Sequence, residues 1–186
     1  MRARLSPRHT ADPEAKMPPR LAGRDMVSIM NEALKLQVGH KVLEVGAGSG
    51  WHASTVAEIV APSNIPREKW GHVYTIEIIP RLAEFAKRNV EKAGYGDRVT
   101  VICGDGSEGY PPQAPYDRIL VTAAAPYVPP TLKQQLKTGG IMVIPVGAVG
   151  FFQTLLRITK VNDETLEEDL GGVAFVPLVG KHGHKL

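Results

Sequence analysis

The chain has 186 residues, 43% hydrophobic and 22% charged, enough for one sizeable core and too few for two ordinary domains. Its single cysteine, Cys103, excludes an internal disulfide and a multi-cysteine metal site; no apolar run approaches a membrane span, and the arginine-rich N-terminus lacks a secretory signal's apolar centre. Residues 1–24 carry +4 of a net +3, leaving −1 for the rest, so the basicity belongs to a tail rather than to a nucleic-acid-binding face.

A proline-containing, flexible tail is expected over 1–20 and one domain over 21–186. In "RDMVSIMNEALK", Met26, Ile29, Met30, Ala33 and Leu34 share one helical face. "KVLEVG" (41–46) reads as a buried strand and "WHASTVAEIV" (51–60) as the helix it feeds. A loop follows over 61–71, then the strand "HVYTIEI" (72–78). The next helix starts with Pro80 in its first turn and stops at Gly94, with Leu82, Phe85, Ala86 and Ala93 as its apolar side. Strands over 98–103 and 117–122 flank a turn-rich loop. A short helix around "PTLKQQLK" ends at "TGG", and a fifth strand covers 140–147. "FQTLLRITKV" and "GVAFVPLVG" read as an antiparallel pair separated by a turn-like "NDETLEED". This series predicts an α/β fold: a doubly wound, mostly parallel, seven-stranded sheet with helices on both faces, closed by an antiparallel pair. Such sheets bind ligands beyond the carboxyl ends of their strands.

Three features gather at that edge. Gly46, Gly48 and Gly50 follow the first strand and open a helix, a turn whose backbone a ligand can approach closely. The spacing is G-x-G-x-G rather than the dinucleotide G-x-G-x-x-G, and the P-loop lysine is missing. Glu77 ends the second strand, where a carboxylate accepts hydrogen bonds from ribose hydroxyls. Asp105 follows the third strand inside "GDG", placed to accept from an exocyclic amine such as that of adenine. Together they point to an adenosine-containing ligand. Glu44, the one acid in the first strand, and Ile78, next to Glu77, are counted with the same site.

"LEVGAGSG", "VYTIEI", "GDGSEGYP", "APYDRILVTAAAP", "LKTGGIMVIPVG" and "GGVAFVPLVG", in this order, strongly resemble the protein-L-isoaspartate O-methyltransferases. The resemblance runs from about Met26 to Gly180. It implies the class I methyltransferase fold, a monomer, and S-adenosyl-L-methionine as cofactor. Gly46, Ala47, Gly48 and Ser49 would line its methionine and ribose portions, Glu77 would bind the ribose, and Asp105 with Gly106 would flank the adenine. The implied acceptor is the free α-carboxylate of an isoaspartyl residue in a damaged protein; the methyl ester then collapses to a succinimide that reopens partly to aspartate. A carboxylate with pKa near ~4 is already ionised at neutral pH, so alignment in a desolvated pocket suffices without a general base. Thr122 and Ala123, in "VTAAAP", leave space for the transferred methyl.

The departure lies upstream. Where the family carries a stretch like "QTISAPHM", this chain reads "PRLAGRDM", with Arg20, Ala22 and Asp25 in place of the threonine, serine and histidine. Little of the family's helical N-terminal segment is present. Arg20 or Arg24 would then hold the acceptor carboxylate as a bidentate cation does. Another acceptor, a partner-dependent enzyme, or a non-catalytic cofactor-binding module are the alternatives. The "VAFVPL" segment would border the acceptor groove and bind the peptide in extended form, or be a plain core strand. His52 is read as a helix-start residue or a cofactor contact, Trp51 and Trp70 as cofactor covers or packing, Cys103 as a small buried side chain, Asp117 as a turn acid, and His182 with His184 as part of a frayed terminus. His9, His40 and His72 have no evident partners.

Overall fold

The computed structural model describes residues 20–21 and 24–185. In chain order the elements are β1 (Arg20–Leu21), α1 (Arg24–Leu34), β2 (Lys41–Val45), α2 (Trp51–Val60), β3 (His72–Glu77), α3 (Pro80–Lys92), β4 (Val99–Cys103), β5 (Tyr116–Val121), α4 (Pro130–Gln135), β6 (Leu136–Val146), β7 (Gln153–Val161) and β8 (Glu164–Ala174). They form one sheet of order β1-β8-β7-β6-β5-β2-β3-β4. Strands β2 to β6 run parallel and β7 is antiparallel to both β6 and β8. Seven long strands are present as expected, though the last covers Glu164–Ala174 instead of "GVAFVPLVG", and the two-residue β1 adds a parallel eighth on β8.

From β2 the chain winds outward through β3 to β4, returns to β5 on the other side of β2, and continues to β6. The winding therefore reverses between β2 and β5, and a crevice opens at their carboxyl ends. Gly46 follows β2 and Thr122 follows β5, so both face this opening.

One core lies between the sheet and α1, α2 and α3, built from Met30, Leu34, Val56, Val60 and Val90 over Val42 and Leu120. The second core, with Tyr116, Leu132, Leu136 and Ile158, is covered by the six-residue α4, loops and the C-terminal segment, a thinner layer than helices on both faces would give. The α1 carboxyl end is held by the buried Arg118, which donates to the carbonyls of Leu34 and Lys35. Helix α3 begins with Pro80 and ends in a glycine cap: Gly94 (φ 82°) and Tyr95 donate to Glu91 O and Val90 O.

Several expectations need correction. The buried face of α3 is Ala83, Ala86 and Val90, whereas Leu82 and Phe85 are exposed, because the helix packs flat and close on its neighbours. "NDETLEED" is mostly strand: a turn centred on Asn162 (φ 56°) and Asp163 leads directly into β8, whose acidic side chains face solvent at a sheet margin. β8 ends at Ala174, so "FVPLVG" is not a regular strand; it bridges Ala124 through Pro177. Cys103 is exposed, since β4 is the free edge of the sheet. The C-terminal segment is docked through His184 rather than frayed. Of the tail expected over 1–20, residues 1–19 with His9 lie outside the described residues, and Arg20 belongs to β1.

Candidate functional site

Two cavities open at the β2/β5 crevice. The first, about 440 Å³, is lined by Gly46, Gly48, Glu77, Ile78, Ile79, Leu82, Gly106, Thr122, Ala123 and the segment 176–179. The second, about 510 Å³, is lined by Met26, Val27 and Met30 of α1, by Ala47, Ser49, Trp51 and His52, and by Ala174 and Phe175. Gly46, Thr122 and Val176 belong to both and form the wall between them.

Backbone geometry dictates glycine at the first of these. Gly46 has φ 101°, and a Cβ there would lie 2.3 Å from Thr122 Oγ1. That hydroxyl donates to the carbonyls of Gly46 (2.8 Å) and Val45 (3.1 Å), tying the β2 and β5 ends together. Gly106 is equally constrained, since its Cβ would meet Val45 Cγ1 at 2.5 Å.

Glu77 is 7% exposed, and each carboxylate oxygen accepts one backbone N–H, from Gly48 to Oε2 (3.0 Å) and from Ile79 to Oε1 (3.1 Å). A carboxylate oxygen accepts more than one hydrogen bond, so a pair of vicinal hydroxyls can be received in a fixed orientation. Among the described residues, no lysine or arginine lines the first cavity. A diphosphate would find no countercharge there, whereas a cationic nucleoside finds an apolar slot, a ribose-binding carboxylate, and a glycine turn without side chains. S-adenosylmethionine fits that donor and acceptor set.

Glu44 lies under α2 on the helical side of β2 and is fully buried. Thr75 Oγ1 donates to its Oε2, while Oε1 has no hydrogen-bond partner among the described residues and lies 4.0 Å from His52 Nδ1. Burial pushes Glu44 up to about 8, against the Thr75 bond and with help from nearby Glu77. Burial likewise pushes His52 down to about 4, and its Nε2 pairs with Asn31 Oδ1 at 2.9 Å. Both are therefore neutral at pH 7. Folded Glu44 keeps its proton between its ordinary 4.5 and about 8, where the unfolded carboxyl has lost it, so this group's contribution to stability falls as pH rises through that interval. Glu44→Gln should remove the decline: thermal melts from pH 5 to 9 are expected to show wild type losing stability relative to the variant as pH rises.

The remaining expected residues divide. Ile78 and Gly106 line the first cavity, and Ala47 and Ser49 the second. Gly50 (φ 80°) lines neither; its Cβ would meet Ala86 O and Val90 Cγ2 at 2.9 Å, so it serves the packing of α2 on α3. The Asp105 carboxylate receives the Ser107 N–H and hydroxyl and the Lys181 N–H, and Gly180 packs against it. Burial alone would raise its pKa, but these hydrogen bonds together hold it below the usual value. With His182 N on Ser107 Oγ and His184 N on Leu178 O, Asp105 latches the C-terminal segment beside the first cavity. Trp51 lines the second cavity, whereas Trp70 packs away from both under Arg98 and Arg67. His40 accepts from Gln37 N, His72 pairs with Thr100, and Asp117 binds Lys137 Nζ and Lys41 N. Asp25 is exposed and lines neither cavity. Ala22 and the side chains of Arg20 and Arg24 lie outside the described residues.

Sequence reasoning did not assign Met26, Met30 or Leu82 to the cavities, whereas Val176 belongs to the "VAFVPL" segment expected to border the acceptor groove. Val176 is 69% exposed and stands just past the last regular strand.

The family model for protein-L-isoaspartate(D-aspartate) O-methyltransferase matches residues 20–183. The chain belongs to that family. A protein-L-isoaspartate O-methyltransferase of Hyperthermus butylicus is 61% identical over 159 residues, covering 85% of this chain and 66% of the relative. Among solved structures, a protein-L-isoaspartate O-methyltransferase aligns with TM-score 0.76 and 31% identity, over 85% of this chain and 48% of that one. A putative protein-L-isoaspartate O-methyltransferase from Plasmodium falciparum, in complex with S-adenosyl-L-homocysteine, aligns with TM-score 0.73 at 24% identity, over 85% of this chain and 75% of that one, and shows the shared fold. This member of the methyltransferase family thus spans just under two thirds of the Hyperthermus relative and about half of the first structure. Among its described residues no helix is long and apolar enough to cross a membrane, and no group of three or more His, Cys, Asp or Glu side chains is arranged for a metal.

Proposed function

We propose that this protein binds S-adenosyl-L-methionine in the first cavity and methylates the free α-carboxylate of L-isoaspartyl residues in damaged proteins. The observation that carries the reading is the shared wall: a cofactor-sized slot and a second cavity meet at Gly46, Thr122 and Val176.

When bound, S-adenosylmethionine supplies an electrophilic methyl carbon on a sulfonium. Glu77 would accept the ribose hydroxyls, with Gly48 and Ile79 fixing its orientation. Ile78, Leu82 and Gly106 would enclose the adenine. Thr122 and Ala123 present little bulk at the junction, and Thr122 directs its hydroxyl into the backbone rather than toward a substrate. Met26, Met30, Trp51 and Val176 would exclude water from the acceptor, so that an ionised carboxylate loses hydration and gains nucleophilicity. None of these side chains need take up a proton, which agrees with a second cavity whose nearest titratable group, His52, stays neutral.

Transfer of labelled methyl to an isoaspartyl peptide and to its normal aspartyl twin tests this. Labelling of the isoaspartyl peptide alone is expected. Equal labelling of both, or of neither by cofactor-bound protein, would overturn the assignment of the acceptor.

A further inference from the structure

Phe151 and Phe152, adjacent in the β6–β7 connection, are 75% and 68% exposed. Two neighbouring phenylalanines turned into water forgo the burial that normally pays for such side chains, and contiguous exposed apolar surface marks a binding face. Here it has a definite shape. Phe151, Phe152, Gly150 and Gln153 form a cavity of about 330 Å³ with Ala174 and Phe175, and those last two residues also line the second cavity of the site.

The shelf is fixed to that wall. Gln153 is buried; its Nε2 donates to Phe151 O at 3.0 Å and its Oε1 accepts from Phe175 N at 2.8 Å. A displacement of the shelf would therefore drag the wall of the acceptor cavity with it. None of the described lining residues is charged.

Resting on the isoaspartyl reading above, we infer that Phe151, Phe152 and Phe175 bind a large apolar side chain of the substrate, within a few residues of the isoaspartyl position. A peptide in extended form advances ~3.3 Å per residue with side chains alternating, so one side chain enters the acceptor cavity while a near neighbour lies on the shelf. The enzyme would then select damage beside large apolar residues, which water and enzyme reach only where the host protein has locally unfolded.

The test uses isoaspartyl peptides of one length in which leucine or serine is placed in turn at each flanking position. For wild type, one position should show a KM roughly tenfold lower with leucine than with serine, at similar kcat. In the double variant Phe151→Ser, Phe152→Ser that difference should shrink to about twofold, while the all-serine peptide is methylated as by wild type. Both side chains are exposed, so the variant should fold; circular dichroism checks this. Methylation without discrimination at any position, or discrimination that survives in the variant, overturns the shelf while leaving the acceptor assignment intact. So does a wild-type dimer that sedimentation shows the variant abolishing with discrimination unchanged, since the shelf would then cover a second copy. Failure to methylate any isoaspartyl peptide, with cofactor bound, removes the acceptor assignment and this inference with it.

Discussion

Replacing Glu77 by glutamine is expected to weaken S-adenosylhomocysteine binding by roughly 10²- to 10³-fold in a calorimetric titration, almost as much as replacing it by alanine. Glutamine usually substitutes mildly for glutamate at a hydroxyl-binding site. Here both oxygens already accept backbone N–H groups, from Gly48 and Ile79. A glutamine has one oxygen, so its amide nitrogen would face one of those donors and leave a nearly buried N–H unpaired. Both ribose hydroxyls lose a charged acceptor, ~1.5–3 kcal/mol each, which sets the effect on binding. The unsatisfied donor, ~1–3 kcal/mol, is present without ligand too and lowers stability instead. An affinity within about threefold of wild type would show that the ribose is held elsewhere.

The second large effect is expected at Gly46. Gly46→Ala puts a Cβ 2.3 Å from Thr122 Oγ1 at a φ of 101°, which alanine rarely adopts. Backbone strain of this kind costs ~1–3 kcal/mol, and relief of the clash would pull Thr122 from the junction of the two cavities. Cofactor affinity should fall by roughly fiftyfold or more. The Thr122→Ala background separates the causes: without the hydroxyl, Gly46→Ala should cost only the strain, so the two changes are strongly non-additive in a double-mutant cycle. Full additivity would mean that the hydroxyl is not the obstacle.

The positions of both residues at the carboxyl edge of the sheet were legible from the sequence because each is set by its own strand. A strand followed by glycines, or ended by a carboxylate, carries its chemistry within a few residues. Gly50 sits in the same triplet and is spent on helix packing, a distinction set by Ala86 and Val90 far along the chain. Asp105 follows β4 as the sequence indicated but lines neither cavity, because its carboxylate is taken by Ser107 and by Lys181, which arrives only when the C-terminal segment folds back. The α3 face was misread because periodicity admits two stripes, and small residues at Ala83 and Ala86 allow a closer approach than Leu82 and Phe85. Cys103 looked interior because an apolar strand does not announce that it will be the sheet's edge. The cavity walls contributed by Met26, Met30 and Val176 come from segments remote in sequence that only the winding of the sheet brings to the crevice.

The most direct measurement is a crystal structure of the protein grown with S-adenosylhomocysteine. The ribose hydroxyls are expected on the Glu77 carboxylate, the adenine against Ile78, Leu82 and Gly106, and the sulfur at the Gly46–Thr122 junction facing the second cavity. A nucleoside bound away from Glu77, or a sulfur turned from that junction, would contradict the assignment of the two cavities.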